Sequence, residues 1–247
     1  LYGLDAATGQ VRRRCVLSGP DPNRTKARII AGRMPGALPD ILVADGDGIT
    51  MRHVRLDPTL TPPADGDLQW KLRSDTHFRA DSGFLDDSLF NRTSWRYGPR
   101  VDRSQMLVRD GADVYGLRMY WGISWNCAVF KPGEGYLLFR QDVSRPVPKP
   151  PQDRPKILNR IPYERYGWHT RIPIRVRAMA LAGAGTSDGS RRLVVAGVPD
   201  EIDPDDPHAA FAGRLGGRLR ILSADDGSEQ AAYRLSAPPV WDSLTAV

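Results

Sequence analysis

The sequence predicts an all-β fold assembled from repeated hairpins, and two observations support this prediction. Short apolar runs alternate with turns rich in Asp and Gly, as in residues 41–51 and 106–117, whereas helical spacing is confined to short pieces. In addition, residues 1–11 align without gaps with residues 219–229. Repeated units with hairpin turns are typical of β-propeller blades. We therefore predict a partial β-propeller of four-stranded antiparallel blades with loop insertions.

The hairpins are marked by Asp and Gly, which supply the turn positions that need a positive φ. The turn at 45–48 (DGDG) lies between two apolar runs, and so does the turn at 110–113 (DGAD). The run 192–197 (RLVVAG) predicts a further strand.

The unit repeated at the two ends predicts a strand, a turn and a second strand. Gly9 closes the first turn and Gly227 the second. Leucines and alanines match at equal spacing, in the pairs Leu1/Leu219, Leu4/Leu222 and Ala6/Ala224. Two similar hairpins are therefore expected.

Two stretches interrupt the strand pattern. Residues 144–155 (SRPVPKPPQDRP) contain five prolines and predict an extended, solvated insertion between strands, with a domain linker as the alternative. Residues 200–217 begin with a run of Asp and Pro and predict a hairpin loop enlarged by one short helical turn.

Charge disfavours two classes of partner. The formal net charge is +6, but the Arg residues that supply most of the positive charge are scattered, whereas nucleic-acid binders cluster them on one face. No amphipathic basic helix is visible, and no apolar run approaches the roughly 18 residues of a membrane span. We therefore expect neither nucleic-acid binding nor a membrane span in this chain.

The chain has two cysteines, Cys15 and Cys127. Their spacing fits no CxxC, haem-attachment or zinc motif. Two interpretations remain: the cysteines pair in an exported protein, or both are buried free thiols.

At this point the residues resemble a known family. Residues 1–14 are similar to the repeat of quinoprotein-like propellers, whose turn reads approximately L-x-x-L-D-A-x-T-G and is followed four residues later by Trp. Further segments resemble a group of uncharacterised bacterial propeller proteins of the pyrroloquinoline-quinone (PQQ) type; they are 77–97, 173–182 (PIRVRAMALA), 195–203 (VAGVPDEID), 210–217 (AFAGRLGG) and 235–242 (LSAPPVWD).

The resemblance implies a propeller of usually eight blades, of which residues 1–247 supply three or four and are truncated mid-blade at both ends. It also implies a bacterial protein of the periplasm or cell envelope, or a secreted one. The sequence departs from the family because Arg13 and Ala231 stand where the family has its docking Trp. The adjacent cysteine pair of the PQQ dehydrogenases is also missing. The resemblance therefore implies the scaffold rather than the oxidoreductase.

Candidate site residues concentrate between 77 and 97. Asp86, Asp87 and Asn91 carry the hard oxygen ligands that Ca²⁺ prefers. An acidic or sugar-like ligand would suit a face made of His77, Asp81, Arg92 and Trp95, through fork hydrogen bonds and stacking. The structural alternative is that Asp86 and Asp87 begin a helix while the aromatic residues pack beneath it.

Two functions follow as hypotheses. The first is a non-catalytic binding or scaffold module that recognises a protein or a carbohydrate-like ligand through loops and holds no cofactor. The second is part of a PQQ- and Ca²⁺-dependent dehydrogenase whose catalytic blades lie outside this chain. It rests on an analogy of fold rather than of site.

Overall fold

A computed structural model describes residues 1–15, 42–45, 48–51, 54–61, 78–82, 94–98, 101, 104–118, 133–145, 165–183, 190–241 and 244. The chain divides into two compact units, Leu1–Arg100 and Val101–Val247. Within the described residues there are fifteen β-strands and no α-helix, which confirms the all-β prediction. This part of the chain therefore offers no helix that could cross a membrane.

The described residues of the first unit form three small antiparallel sheets, ordered β1-β2, β3-β4-β5 and β6-β7. Their strands are β1 (Tyr2–Leu4), β2 (Val11–Arg14), β3 (Leu42–Asp45), β4 (Gly48–Met51), β5 (Val54–Leu56), β6 (Phe78–Ser82) and β7 (Ser94–Tyr97). A small apolar cluster includes Cys15, Leu56 and Leu60. Cys15 is a buried free thiol, while Cys127 lies outside the described residues.

In the second unit, the described strands form two four-stranded antiparallel sheets in which consecutive strands are neighbours. The first sheet is β8 (Met106–Asp110), β9 (Asp113–Arg118), β10 (Tyr136–Asp142) and β11 (Trp168–Ile172). The second sheet is β12 (Ile174–Ala182), β13 (Arg192–Pro199), β14 (Gly217–Ser223) and β15 (Glu229–Leu235). The two sheets meet along their first strands, β8 and β12.

The predicted hairpins are present. Strands β3 and β4 flank the 45–48 turn, and β8 and β9 flank the 110–113 turn, where Gly111 has a φ of +55°. The strand predicted at 192–197 is β13, which continues to Pro199. The residues from 143 to 167, which include the proline-rich stretch, join β10 to β11, and these two strands pair with each other.

The two end hairpins, β1-β2 and β14-β15, share the same backbone geometry. Gly9 N–H donates to Asp5 O at 2.8 Å, and the equivalent Gly227 N–H donates to Ser223 O at 2.9 Å. Both glycines have a positive φ, +70° and +75°. The register also shifts at equivalent places, between Gly3 and Leu4 and between Ile221 and Leu222. The sequence alignment therefore corresponds to a local structural match.

The core of the second unit lies between its two sheets. It is formed by buried side chains from the seven strands β8 to β14 and from the turn after β14, among them Tyr115, Leu138, Val176, Leu193 and Leu222. Side chains alternate between the two faces of a strand. Leu193 and Val195 face this core, and Val194 between them therefore points to the opposite face of the second sheet.

The loop between β13 and β14 contains the enlarged turn that the sequence predicts. Ala212 N–H donates to His208 O at 2.9 Å, and Arg214 N–H donates to Ala209 O at 2.9 Å. Phe211 in this loop lies under the guanidinium of Arg175, whose Cζ is 4.7 Å from the ring centre. The loop is thus anchored to β12.

A bulge in β12 depends on a glycine of the neighbouring strand. The register with β13 shifts between Val176 and Ala178. A Cβ at Gly197 would lie 2.0 Å from Arg175 O and 2.8 Å from Val176 Cα. Both are backbone atoms, so a side chain at 197 is accommodated only by moving the strand.

Replacing Gly197 by Ala tests this dependence. We expect G197A to lower the free energy of unfolding by about 3 kcal/mol, because the new methyl group overlaps backbone. The control is G167A, because the nearest atom to a Cβ at Gly167 is Arg140 Nη1 at 3.7 Å. Urea unfolding gives the free energy of unfolding of both variants. An equal decrease in G197A and G167A would contradict the dependence of the bulge on Gly197.

Candidate functional site at the junction of two sheets

Trp168 joins the two sheets of the second unit. Its indole Nε1–H donates to Ala224 O in the β14-β15 turn at 2.8 Å, within a buried contact. The ring also covers Gly227, because a Cβ at that glycine would lie 2.6 Å from Trp168 Cε3. Ala224 is fully buried and Trp168 is 8% exposed. The first strand residue of β11 is therefore fixed on the turn of the neighbouring sheet.

The tryptophan of this contact lies at a different position from the docking Trp of the family that the sequence resembles. Arg13 and Ala231 occupy the positions where the resembling family has its Trp, and the structure pairs them with Gly3 and Ile221 as ordinary strand residues. A tryptophan nevertheless docks on the second turn. This tryptophan, Trp168, belongs to β11 and follows the proline-rich stretch in the chain. In the resembling family, the docking Trp comes four residues after a turn glycine.

Arg191 bridges the same two sheets with charge. It lies just before β13, where Nη1 contacts Asp113 Oδ2 at 3.0 Å and Asp110 Oδ2 at 3.3 Å. Its Nη2 contacts Asp225 Oδ1 at 2.7 Å. The hydrogen bond that Arg191 donates to Asp225, followed by the one that it donates to Asp113, raises the pKa of the Arg191 guanidinium above its ordinary value.

Arg140 completes the network from β10. Its Nε–H donates to Asp113 Oδ1 at 2.8 Å, and this bond raises the pKa of Arg140. Asp113 therefore accepts from two guanidinium groups, one on each of its oxygens. Guanidinium groups remain protonated and only donate. The cluster is thus suited to joining the sheets rather than to proton transfer or cation binding.

Tyr115 lies beneath this network. Its ring is fully buried and is 6.1 Å from that of Trp168, at an interplanar angle of 45°. Among the described residues, no group forms a hydrogen bond with Tyr115 Oη. Burial raises the pKa of the hydroxyl to about 12, and the nearby Arg191 charge opposes part of that rise. The phenol is therefore held in its neutral form.

The opposite end of the sheets is joined by Asp200. Its Oδ2 accepts from Gly135 N–H at 2.8 Å, which ties the start of β10 to the end of β13. Asp200 N–H also donates to Pro173 O at 3.0 Å, in the link between β11 and β12. Asp200 is buried, with 6% of the residue exposed, and its hydrogen bond to Gly135 is partly buried.

The sequence-predicted ligand-face and calcium residues fall mostly elsewhere. His77, Asp86, Asp87, Asn91 and Arg92 lie outside the described residues, and Asp81 is placed only as part of strand β6. In the described ranges, no three His, Cys, Asp or Glu residues group as a metal site would require.

Trp95 is the predicted ligand-face residue whose position the structure gives in most detail. It is half-buried in β7, opposite Ala80 of β6. Tyr97, two residues further along, is buried and lies edge-on to Phe78, with 4.9 Å between ring centres. Since residues two apart share a strand face, Trp95 lies on the aromatic face of this sheet.

Comparison of the chain with models of protein families, with curated proteins and with solved structures gave no match.

The Trp168 contact is tested with two glycine variants of the second unit. G227A and G111A both place Ala at a positive φ, but a Cβ at Gly111 has no atom within 4 Å. We expect G227A to cost about 1–3 kcal/mol more than G111A, because only its methyl group displaces the indole. Urea unfolding followed by near-ultraviolet circular dichroism measures the difference in unfolding free energy. Equal decreases in G227A and G111A would show that the Trp168 ring does not pack on Gly227.

The buried hydroxyl of Tyr115 is tested with Y115F. Removing a buried group that has no hydrogen-bond partner among the described residues is expected to leave the free energy of unfolding unchanged or raise it by about 1 kcal/mol. The wild-type phenol ionises near pH 10 when unfolded and near pH 12 when folded. The unfolded state therefore binds fewer protons in this window, and wild-type stability falls as pH rises.

The readout for Y115F is the difference in unfolding free energy between wild type and variant at pH 8 and at pH 11. We expect the free energy of unfolding of Y115F, relative to that of wild type, to be higher at pH 11 than at pH 8. A variant that is less stable than wild type at both pH values would show that the hydroxyl has a stabilising partner.

Proposed function

We propose that this chain is a non-catalytic binding or scaffold module of the bacterial cell envelope, built from propeller-type blades. The observation that supports it most is the pair of consecutive four-stranded sheets, which meet along their first strands and are joined by Trp168. Successive four-stranded antiparallel blades are the building principle of β-propellers. A scaffold of this kind presents its faces and loops for recognition.

A second observation is an apolar surface on the second sheet that a binding partner could cover. Its face away from the core, here called the outer face, is formed by Val194, Leu219, Ile221, Ala231 and Tyr233. Tyr233 is 55% exposed, and the other four are half-buried. An apolar sheet face of this kind is typical of a surface that packs against another element.

The first unit shows how the same face is covered in the other hairpin. Gly3 is the equivalent of Ile221, and a Cβ at Gly3 would lie 3.1 Å from Leu60 Cδ1. Leu60 follows β5, so the β1-β2 hairpin packs against the neighbouring three-stranded sheet on this side. By analogy with the covered Gly3, we propose that the outer face around Ile221 binds an apolar surface of a protein partner.

The chemistry of the described junction also favours binding over catalysis. Its carboxylates, Asp110, Asp113 and Asp225, all contact guanidinium groups. A general base needs a carboxylate or imidazole that can take up a proton near neutral pH. The oxygens of these three carboxylates instead accept hydrogen bonds from Arg140 and Arg191.

The proposal is tested at Tyr233. We expect Y233S to lower the recovery of envelope proteins on the immobilised chain by about tenfold, because an exposed Tyr that becomes buried in an interface is a typical hot spot. The matched control is R234S, whose side chain is exposed on the adjacent position of β15 and points to the other face.

Two outcomes would overturn the proposal. One is equal recovery with Y233S and R234S, which would remove the outer face from recognition. The other is saturable binding of PQQ with Ca²⁺ together with dye-linked oxidation of an alcohol or a sugar, which would assign a dehydrogenase.

A further inference from the structure

Arg177 is the extra residue of the bulge in β12. The register with β13 shifts between Val176 and Ala178, so Arg177 has no residue opposite it on β13. Bulges change the direction of a side chain and are frequent next to functional sites. Arg177 is half-buried, and its Nη2–H donates to Phe211 O at 3.1 Å in the loop between β13 and β14. The bulge therefore places a guanidinium against this loop.

A second guanidinium lies at the same loop residue. Arg175 Cζ is 4.7 Å from the centre of the Phe211 ring, while Arg177 donates to the backbone carbonyl of that residue. The two arginine side chains therefore lie on the same side of β12. Burial lowers the pKa of Arg177, and the positive charge of Arg175 lowers it further. Both effects are expected where like charges are held together in a partly buried place.

Other arginines of this loop and of the strand that follows it are neutralised by carboxylates. Arg214 Nη2 is 2.6 Å from Asp206 Oδ2. Arg218 Nη2, at the start of β14, is 3.5 Å from Glu201 Oε1. Within the described ranges no carboxylate forms an ion pair with Arg177, whose hydrogen bond goes to a backbone carbonyl. Because a guanidinium carries five N–H donors, Arg177 can donate to further oxygens.

We propose that Arg175 and Arg177 form a binding site for a phosphoryl group, which accepts hydrogen bonds from Arg177 and is held by the charge of both residues. Two guanidinium groups are best compensated by one anion with two negative charges. A phosphate monoester carries a charge of about −1.5 to −2 at neutral pH, and its oxygens match the fork of a guanidinium.

The phosphoryl site goes beyond the recognition proposed at Tyr233. It lies on β12, at one edge of the second sheet, whereas Tyr233 lies on β15 at the opposite edge. The Phe211 ring beside the site is 48% exposed and offers an apolar contact to the organic part of an ester. Binding at each edge can therefore be measured and lost separately.

The test is a titration of the full chain with sodium phosphate at about pH 7.5 and constant ionic strength. We expect the amide resonances of Phe211 and Ala212 to shift saturably in nuclear magnetic resonance spectra, with a dissociation constant in the millimolar range. Acetate at the same ionic strength is expected to bind at least about tenfold more weakly, because it carries one charge.

A second titration with phenyl phosphate distinguishes the source of the phosphoryl group. Tighter binding than that of inorganic phosphate assigns an ester whose organic part contacts the Phe211 ring. Equal binding assigns the phosphoryl group alone. Both results support the site.

Three variants test the arginine. R177Q is expected to weaken phosphate binding about tenfold or more, and R177K, which keeps the charge but loses the planar fork, is expected to bind between R177Q and wild type. R192Q is the matched control, because it removes the same charge from an exposed position of β13. Arg192 lies six residues, about 20 Å, along the strand from Val198, which is opposite Arg175. We expect R192Q to retain the wild-type affinity.

Three results would overturn the proposal. The first is a set of Phe211 and Ala212 resonances that phosphate moves no more than chloride of the same ionic strength. The second is equal weakening in R177Q and R192Q, which would show a general effect of net charge. The third is acetate binding as tight as that of phosphate, which would assign a carboxylate site.

Discussion

The second unit depends on one contact, in which the indole of Trp168 lies against the backbone of the β14-β15 turn. This contact imposes two structural requirements on the turn. The buried indole N–H requires an acceptor, which is Ala224 O at 2.8 Å, and the ring requires a residue without Cβ beneath it, which is Gly227. Meeting both fixes the outer strand of one sheet on the turn of the other, and the apolar core between the sheets is closed at this end.

A network of Arg–Asp ion pairs lies next to that contact and joins the same two sheets. Arg191 connects the β8-β9 turn to the β14-β15 turn, and Arg140 shares Asp113 with it. A half-buried network of this kind gains more from its fixed geometry than an exposed ion pair does. It also leaves Tyr115 in a site where the neutral phenol is favoured. The described junction therefore holds its charged groups in ion pairs between the two sheets.

The two end hairpins separate local from tertiary effects within one molecule. Their hydrogen bonds, glycine conformations and register shifts coincide, because each is set by a few neighbouring residues. Their environments differ, because Leu222 lies under a neighbouring sheet while Leu4 is exposed. The turn and the register of such a hairpin are therefore set by its own sequence, and the adjoining element decides which of its faces is buried.

The local pattern of the sequence predicts several of the described hairpins, because alternation and turn chemistry act over a few residues. The hairpins at 41–51 and 106–117 and the matched hairpins at the two ends follow from it. The propeller, the calcium ligands Asp86, Asp87 and Asn91, and the envelope location stay predictions. The contacts that join the two sheets of the second unit follow instead from packing between distant residues. Trp168 and Ala224 are 56 residues apart, and the tryptophan arrives from a different strand than the spacing after a turn glycine indicates. Such a contact depends on how two sheets pack, and no local pattern encodes that packing.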